Sequence, residues 1–250
     1  MGTRPEGVEN EHEAARHVRQ MFAGIAPRYD LLNHVLSLSL DRVWRNRVAA
    51  RFRNTLERPD SRTLDLCCGT GDLTLALLRK SRGTVIGSDF AHPMLTRAEA
   101  KSHNAAHDLG TSGKFAGYVE ADALRLPFAD ASFGLVTLAF GFRNLANYDR
   151  GLQEVARVLR PGGEIGILEF SEPRAALFGA LYRFYFTQIL PRIGKAISGD
   201  DSAYTYLPNS VLKFPLPPEL ADRMREAGFT DARYELWSGG IVALHRGVKR

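Results

Sequence analysis

Cysteine is nearly missing from this 250-residue chain: Cys67 and Cys68 are the only two, and they are adjacent. Neighbouring cysteines rarely satisfy disulfide geometry, and no second pair stands ready to complete a thiolate metal site. That excludes a disulfide scaffold and predicts a reduced, cytoplasmic protein. Long apolar runs are missing too. No stretch of about 18 uninterrupted apolar residues occurs, so no bilayer span is predicted. Met1 to Glu13 lacks an apolar core and carries Glu6, Glu9, Glu11 and Glu13, which reads as a flexible tail rather than a signal peptide. Glu6 also occupies the position where a myristoylation motif needs Ser or Thr. An acidic excess is absent: 33 Lys and Arg against 28 Asp and Glu leave a net charge of +5. A basic solvated surface is the simplest reading, with nucleic acid or an anionic membrane as partners that charge alone does not separate.

From Ala14 to Leu56 apolar residues such as Val18, Phe22, Ile25, Val43 and Leu56 recur at helical spacing. Pro27 ends a first helix, and Tyr29 to Leu40 reads as a link to a second. Beyond Arg62, short apolar runs alternate with longer helical segments. Strands are predicted at Thr63–Cys67, Thr84–Ser88, Gly117–Glu120, Leu135–Ala139 and Glu164–Phe170, with helices at Leu73–Lys80, Pro93–Ala106 and Tyr148–Leu159. Such alternation predicts an α/β fold with a doubly wound, mostly parallel sheet. Asp72 is the expected cap of the first core helix, and Pro161-Gly162-Gly163 the turn before strand five. Ala175 to Ile197 breaks the pattern with Phe178, Tyr182, Phe184, Tyr185 and Phe186, together with Arg174, Arg183, Arg192 and Lys195, but no acid. A helix, Pro218–Ala227, and two strands, Asp231–Leu236 and Gly240–Gly247, follow. The expected organisation is one domain over 14–250: a helical lid (14–56), a core (62–170), an insertion (171–217) and a C-terminal unit (218–250), behind a tail (1–13).

The strongest local signal is Asp65-Leu66-Cys67-Cys68-Gly69-Thr70-Gly71-Asp72 at a strand-to-helix turn. Glycines there let backbone approach a ligand, and the next helix offers free N–H groups. Alone, Gly-x-Gly is equally a tight turn. A dinucleotide fingerprint would have glycine where Thr74 stands, and no Gly-Lys-Ser/Thr follows to make a P-loop. Two further strand ends carry acids. Asp89, about 20 residues on, sits where a carboxylate can accept both ribose hydroxyls of a nucleoside. Asp122 can accept an adenine amino group, with the Ala123 N–H donating to the ring. Each acid singly is as readily a loop cap. Three strand ends converging on one nucleoside make a stronger case.

These residues together resemble a class I S-adenosylmethionine-dependent methyltransferase, and more narrowly the menaquinone/ubiquinone biosynthesis C-methyltransferases. That family's first signature is matched by Tyr29-Asp30-Leu31-Leu32-Asn33, Ser37, Asp41 and Trp44, where Leu32 replaces Met and Asp41 replaces His. The second is matched by Arg157-Val158-Leu159-Arg160-Pro161-Gly162-Gly163. Phe140-Gly141-Phe142-Arg143-Asn144, Tyr204-x-Tyr206-Leu207-Pro208 and Gly240-Ile241-Val242-Ala243-Leu244-His245 complete a likeness over nearly everything after residue 17.

The resemblance implies that Asp65, Gly69, Thr70 and Gly71 meet the cofactor, that Asp89 holds the ribose, and that Asp122 with Ala123 holds adenine. Met94 would pack on the adenine face, a core methionine being the plainer reading. Ala139 stands where the family often has Ser, leaving only its backbone to line the site. The implied substrate is a polyprenyl quinol, most simply demethylmenaquinol, with the ubiquinone-branch benzoquinol as alternative. A quinol ring carbon, made electron-rich by phenolate, attacks the sulfonium methyl, leaving S-adenosylhomocysteine; no metal is expected. Arg143, beside Asn144, would stabilise phenolate or polarise water, since it stays protonated; an Arg–carboxylate pair is the structural alternative. Tyr29, Asn33, Tyr204 and Tyr206 are substrate-pocket candidates or packing aromatics, and His245 reads as a hydrogen-bonded core histidine. The insertion fits either a peripheral membrane contact or a homodimer interface. A nucleic-acid methyltransferase is disfavoured, since Phe-Gly-Phe-Arg-Asn replaces the Pro-Pro motif of the exocyclic-amine type. A non-catalytic cofactor-binding assembly protein is the remaining rival.

Overall fold

β-branched and aliphatic residues in short runs form seven strands, seen in a computed structural model that describes residues 2, 10–106, 114–173, 179, 188 and 202–250. They are β1 (Arg62–Leu66), β2 (Thr84–Asp89), β3 (Lys114–Glu120), β4 (Phe133–Ala139), β5 (Leu159–Phe170), β6 (Phe229–Trp237) and β7 (Val242–Lys249), ordered β3-β2-β1-β4-β5-β7-β6. β1 to β5 are parallel, while β7 runs antiparallel between β5 and β6. Strand order reverses between β1 and β4, the crevice where doubly wound sheets take ligands. Side chains alternate across the sheet. Val136 and Leu138 of β4 join one core with Leu152 and Ile165, whereas the preceding Leu135, on the opposite face, joins a second with Trp44, Phe52 and Leu77.

Among the described residues the α-helices are α1 (Glu11–Ile25), α2 (Tyr29–Leu36), α3 (Leu40–Arg51), α4 (Arg53–Leu56), α5 (Asp72–Leu78), α6 (His92–Ala106), α7 (Tyr148–Val158), α8 (Ser202–Leu212) and α9 (Pro217–Glu226). Several boundaries differ from expectation. Tyr29 to Leu40 is no simple link, because eight of those residues form α2. Helix α1 reaches into the segment expected to be a flexible tail: the Asn10 side chain accepts the Glu13 N–H at 2.9 Å and caps the helix there. Asp72 does not cap α5. Gly71 takes that place with φ +83°, which frees the Asp72 carboxylate to pair with Lys101 at 2.6 Å. Pro161-Gly162-Gly163 does not precede β5 but bulges within it: the β4 partner jumps from Leu159 to Glu164 between Phe133 and Leu135. The Ala175–Ile197 insertion lies, but for Gly179 and Gln188, outside the described residues. No described helix is long and apolar enough to cross a membrane.

Candidate active site

The chain leaves β1 through a turn that only small residues and left-handed backbone allow. Cys67, Gly69 and Gly71 all have positive φ (55°, 55° and 83°), and a Cβ on Gly71 would overlap the Tyr118 hydroxyl beneath it. Asp89, at the end of β2, pins this turn. Its Oδ2 accepts the Gly69 N–H at 2.9 Å and its Oδ1 the Ala91 N–H at 2.9 Å. Burial pushes the Asp89 carboxyl up, with those backbone donors opposing.

Around the pinned turn lie two connected hollows that share Tyr29, Cys67 and Gly69. The larger, about 660 Å³ and open to solvent, runs along the ends of β2 and β3 past Asp89, Met94, Asp122 and Ala123 to Gly141 and Asn144. Met94 packs there with Phe22, Ala26 and Tyr29. Asp122 is exposed at the rim, its Oδ1 accepting the Leu124 N–H at 2.9 Å. The smaller hollow, about 300 Å³, is polar, lined by Arg45, Asp65, Thr70, Asp72 and the backbone-flanking Ala139. Asp65 lies buried at its floor, accepting hydroxyls from Thr74 at 2.6 Å and Thr137 at 3.3 Å. Burial pushes its carboxyl up to about 7, with the two hydroxyls opposing. Thr70 is engaged already: its hydroxyl donates to Asp30 and accepts from Lys101 at 3.1 Å.

Arg143 follows β4 in a short 3-10 turn, Phe142–Asn144. The expected alternative to a catalytic role, an Arg–carboxylate pair, is what the fold builds. Glu169 of β5, buried, accepts the Arg143 Nη1 at 3.0 Å and the Arg143 backbone N–H at 3.1 Å. Burial pulls the guanidinium down, but Glu169 together with Tyr29 and Tyr206 outweighs it, and Arg143 ends above its ordinary value, fixed as a cation. Its Nε makes no hydrogen bond among the described residues. Close by, the Tyr206 hydroxyl donates to Asn144 Oδ1 at 3.1 Å. Burial pushes Tyr206 up to about 12, against the pull of Arg143. Tyr29 is raised likewise by burial, with Asn33, Arg45 and Arg143 opposing. Tyr29, Asn33, Arg143, Asn144 and Tyr206 are therefore one neighbourhood, while the Tyr204 side chain lies outside the described residues. His245 is the core histidine expected, its Nε2 2.9 Å from the Pro217 carbonyl and its pKa pushed down to about 4 by burial.

Several members were not legible in the sequence. Ala15 and Phe22 of α1 wall the larger hollow, and α1 is tied to the core by Arg19–Glu120 and by Asn147 Nδ2 donating to Glu11 at 3.0 Å. The amphipathic spacing of α1 was the only available signal. No metal-ligand cluster was expected, yet the fold gathers His34, Asp41 and Asp72 within ligating reach of one another. Arg45 pairs with both Asp41 and Asp72 and supplies positive charge at that spot. Asp41 also accepts the Ser37 hydroxyl at 2.8 Å; burial, the largest single influence, raises its carboxyl, but Arg45, Ser37 and His34 together outweigh it and leave Asp41 below its ordinary value.

Comparison with known proteins fits this geometry. Residues 9–249 match the model of the ubiE/COQ5 methyltransferase family. The chain is 47% identical to the demethylmenaquinone methyltransferase of Deinococcus radiodurans, covering 97% of each, and 48% identical to that of Thermus thermophilus, covering 91% of this chain and 99% of the relative. A Geobacter ubiquinone/menaquinone biosynthesis C-methyltransferase is 41% identical, covering 95% and 98%. Among solved structures, a SAM-dependent methyltransferase from Aquifex aeolicus superposes with a TM-score of 0.58 at 16% identity, over 82% and 89% of the two chains. The [4+2]-cyclase SpnF superposes at 0.64 with 18% identity, over 94% and 96%. A cyclase on the same fold shows that architecture alone does not set the reaction. Sequence identity over almost the whole length does more, and the chain belongs to the ubiE/COQ5 methyltransferase family.

Proposed function

We propose that this methyltransferase moves the methyl group of S-adenosylmethionine to a ring carbon of a polyprenyl quinol, demethylmenaquinol in the first instance. The observation that carries the reading is the paired hollow at the strand-order reversal, one mostly apolar with carboxylates at its edge, one polar and charged. A nucleoside fits the first: Asp89 and Asp122 offer acceptors to ribose and adenine, Met94 an apolar face. An amino-acid zwitterion fits the second, with Arg45 for its carboxylate and Asp65 among the acids for its ammonium. At the junction Gly69 and Gly71, both with positive φ and without side chains, let the backbone approach a ligand closely beside Tyr29.

When bound, S-adenosylmethionine supplies an electrophilic methyl that needs only an aligned, electron-rich carbon. The chain's own residues arrange the rest. Tyr29, Asn144 and Tyr206 border the space beyond the junction and orient a phenol by hydrogen bonding. The fixed positive charge of Arg143, held by Glu169, favours the phenolate form of that ring. Phe22 and Ala15 on α1 exclude water. The relatives named demethylmenaquinone methyltransferase favour the naphthoquinol, and those named for both quinones keep the benzoquinol as the second reading. A cytoplasmic protein in peripheral contact with the membrane, or a homodimer, suits such a lipid substrate, and the proposal includes no nucleic acid and no metal. The test is incubation with methyl-labelled cofactor and chemically reduced demethylmenaquinol. Label enters the ring; cofactor binding without transfer to either quinol class overturns the proposal.

Asp65 gives that binding a pH signature. Its folded pKa of about 7 lies above the ordinary aspartate value, so the free protein is stabilised at low pH and loses that contribution as pH rises towards 7. A bound ammonium favours the ionised carboxylate, so binding below about pH 7 releases a proton. Affinity for S-adenosylhomocysteine should climb with pH up to that point and then level off. Calorimetry in buffers of differing ionisation heat reads the proton directly. Asp65→Asn abolishes the climb; an unchanged pH profile in that variant would assign the linkage elsewhere.

A further inference from the structure

We propose that the turn between α2 and α3 is the surface by which this protein meets an anionic lipid bilayer, a proposal that rests on the polyprenyl reading above. Four of the eight exposed large hydrophobic side chains among the described residues fall between positions 31 and 43. Leu38 is 81% exposed, Val43 58%, Leu31 55% and Leu40 38%. Isolated exposed leucines are ordinary; four in so short a stretch of chain are an unusual local concentration of apolar surface. The backbone adds a second, independent observation. Leu38 and Ser39 are consecutive non-glycine residues in the left-handed region, with φ of 51° and 61°. Each costs about 1–2 kcal/mol there, and Gly or Asn would hold the same turn without that strain. The turn keeps a leucine at its tip, projecting into water.

Charge selects the partner. The outward positions of α3 carry Arg42, Val43 and Arg47, while its single carboxylate, Asp41, is buried against Arg45 and His34. Asp30, beside Leu31, is neutralised by Lys101 at 2.7 Å, so an apolar tip bordered by arginines complements lipid tails and anionic headgroups. A second copy is the poorer occupant, because a twofold contact through this turn would bring the same arginines together. Position also fits. α2 starts at Tyr29 on the cavity wall and, at 1.5 Å per residue, its eight residues place the turn about 12 Å away. A prenyl chain drawn from the bilayer beside Leu38 has a short path to the ring site.

The test is flotation of the full chain with vesicles containing roughly a third phosphatidylglycerol, against phosphatidylcholine alone. The parent floats with the anionic vesicles and less so as salt rises. Leu38→Asn, which relieves the left-handed strain, melts no lower than the parent yet partitions about tenfold more weakly. Arg42→Gln weakens it about fivefold. Leu38→Asn also methylates a short-chain, water-soluble quinol at the parental rate but slows on vesicle-borne polyprenyl quinol. Absence of parental flotation, or flotation unchanged in Leu38→Asn, overturns the proposal. So does an oligomer that Leu38→Asn dissociates, which would give this face to a second copy. Failure of the parent on the soluble quinol would count against the substrate reading instead, leaving flotation to decide the surface.

Discussion

Asp89→Ala should lower affinity for S-adenosylhomocysteine by about two orders of magnitude while leaving the protein folded. A buried carboxylate that accepts two ribose hydroxyls contributes about 1.5–3 kcal/mol through each. In the free protein the same oxygens each accept one backbone N–H, from Gly69 and Ala91, and keep a lone pair for a ligand. Alanine releases the turn as well, at about 1–3 kcal/mol of stability. Titration calorimetry well below the variant's melting midpoint separates the two effects. Asp122→Ala serves as comparison: that carboxylate is exposed at the rim, so its loss costs about tenfold or less. Affinity of Asp89→Ala within about threefold of the parent would remove Asp89 from the site.

Glu169→Leu should destabilise the fold by about 3–5 kcal/mol, because it strands the Arg143 guanidinium in the interior without its partner. For a chain of this size that corresponds to a fall in Tm of about 10 °C or more. The joint replacement of Arg143 by Met and Glu169 by Leu should recover most of the loss, since removing both charges also removes their desolvation. Turnover separates the roles. If the Arg143 charge acts on the phenol, the double variant is stable and slow, and its rate rises with pH as bulk ionisation supplies the phenolate. Recovery of both stability and rate would reduce Arg143 to a structural cation.

The acids at three strand ends were legible because alternation of strand and helix places every parallel strand's carboxyl end on one edge. Asp65, Asp89 and Asp122 needed no contact information to be grouped. The same logic does not reach pairs made across layers. Glu169 sits in β5, 26 residues from Arg143, and nothing in either local sequence couples them. Likewise Lys101, on α6, closes on Asp30 at 2.7 Å and Asp72 at 2.6 Å from two other helices, and thereby claims Thr70. Asp72 looked like a cap because acids favour that position; Gly71 won it because the turn over Tyr118 tolerates no Cβ. The helix α2 was hidden between Pro27 and the Ser37–Ser39 turn, whose residues read as linker.

The antiparallel placement of β7 sets an order on assembly. Of the seven strands it is the last to be synthesised, yet it lies inside the sheet, hydrogen-bonded to β5 on one side and β6 on the other. Until Val242–Lys249 has left the ribosome, β5 presents an unsatisfied edge and β6 has nothing to pair with. A nascent chain stalled before that point carries a sticky border beside an otherwise finished nucleotide-type sheet, and its protection by chaperones matters most in that interval.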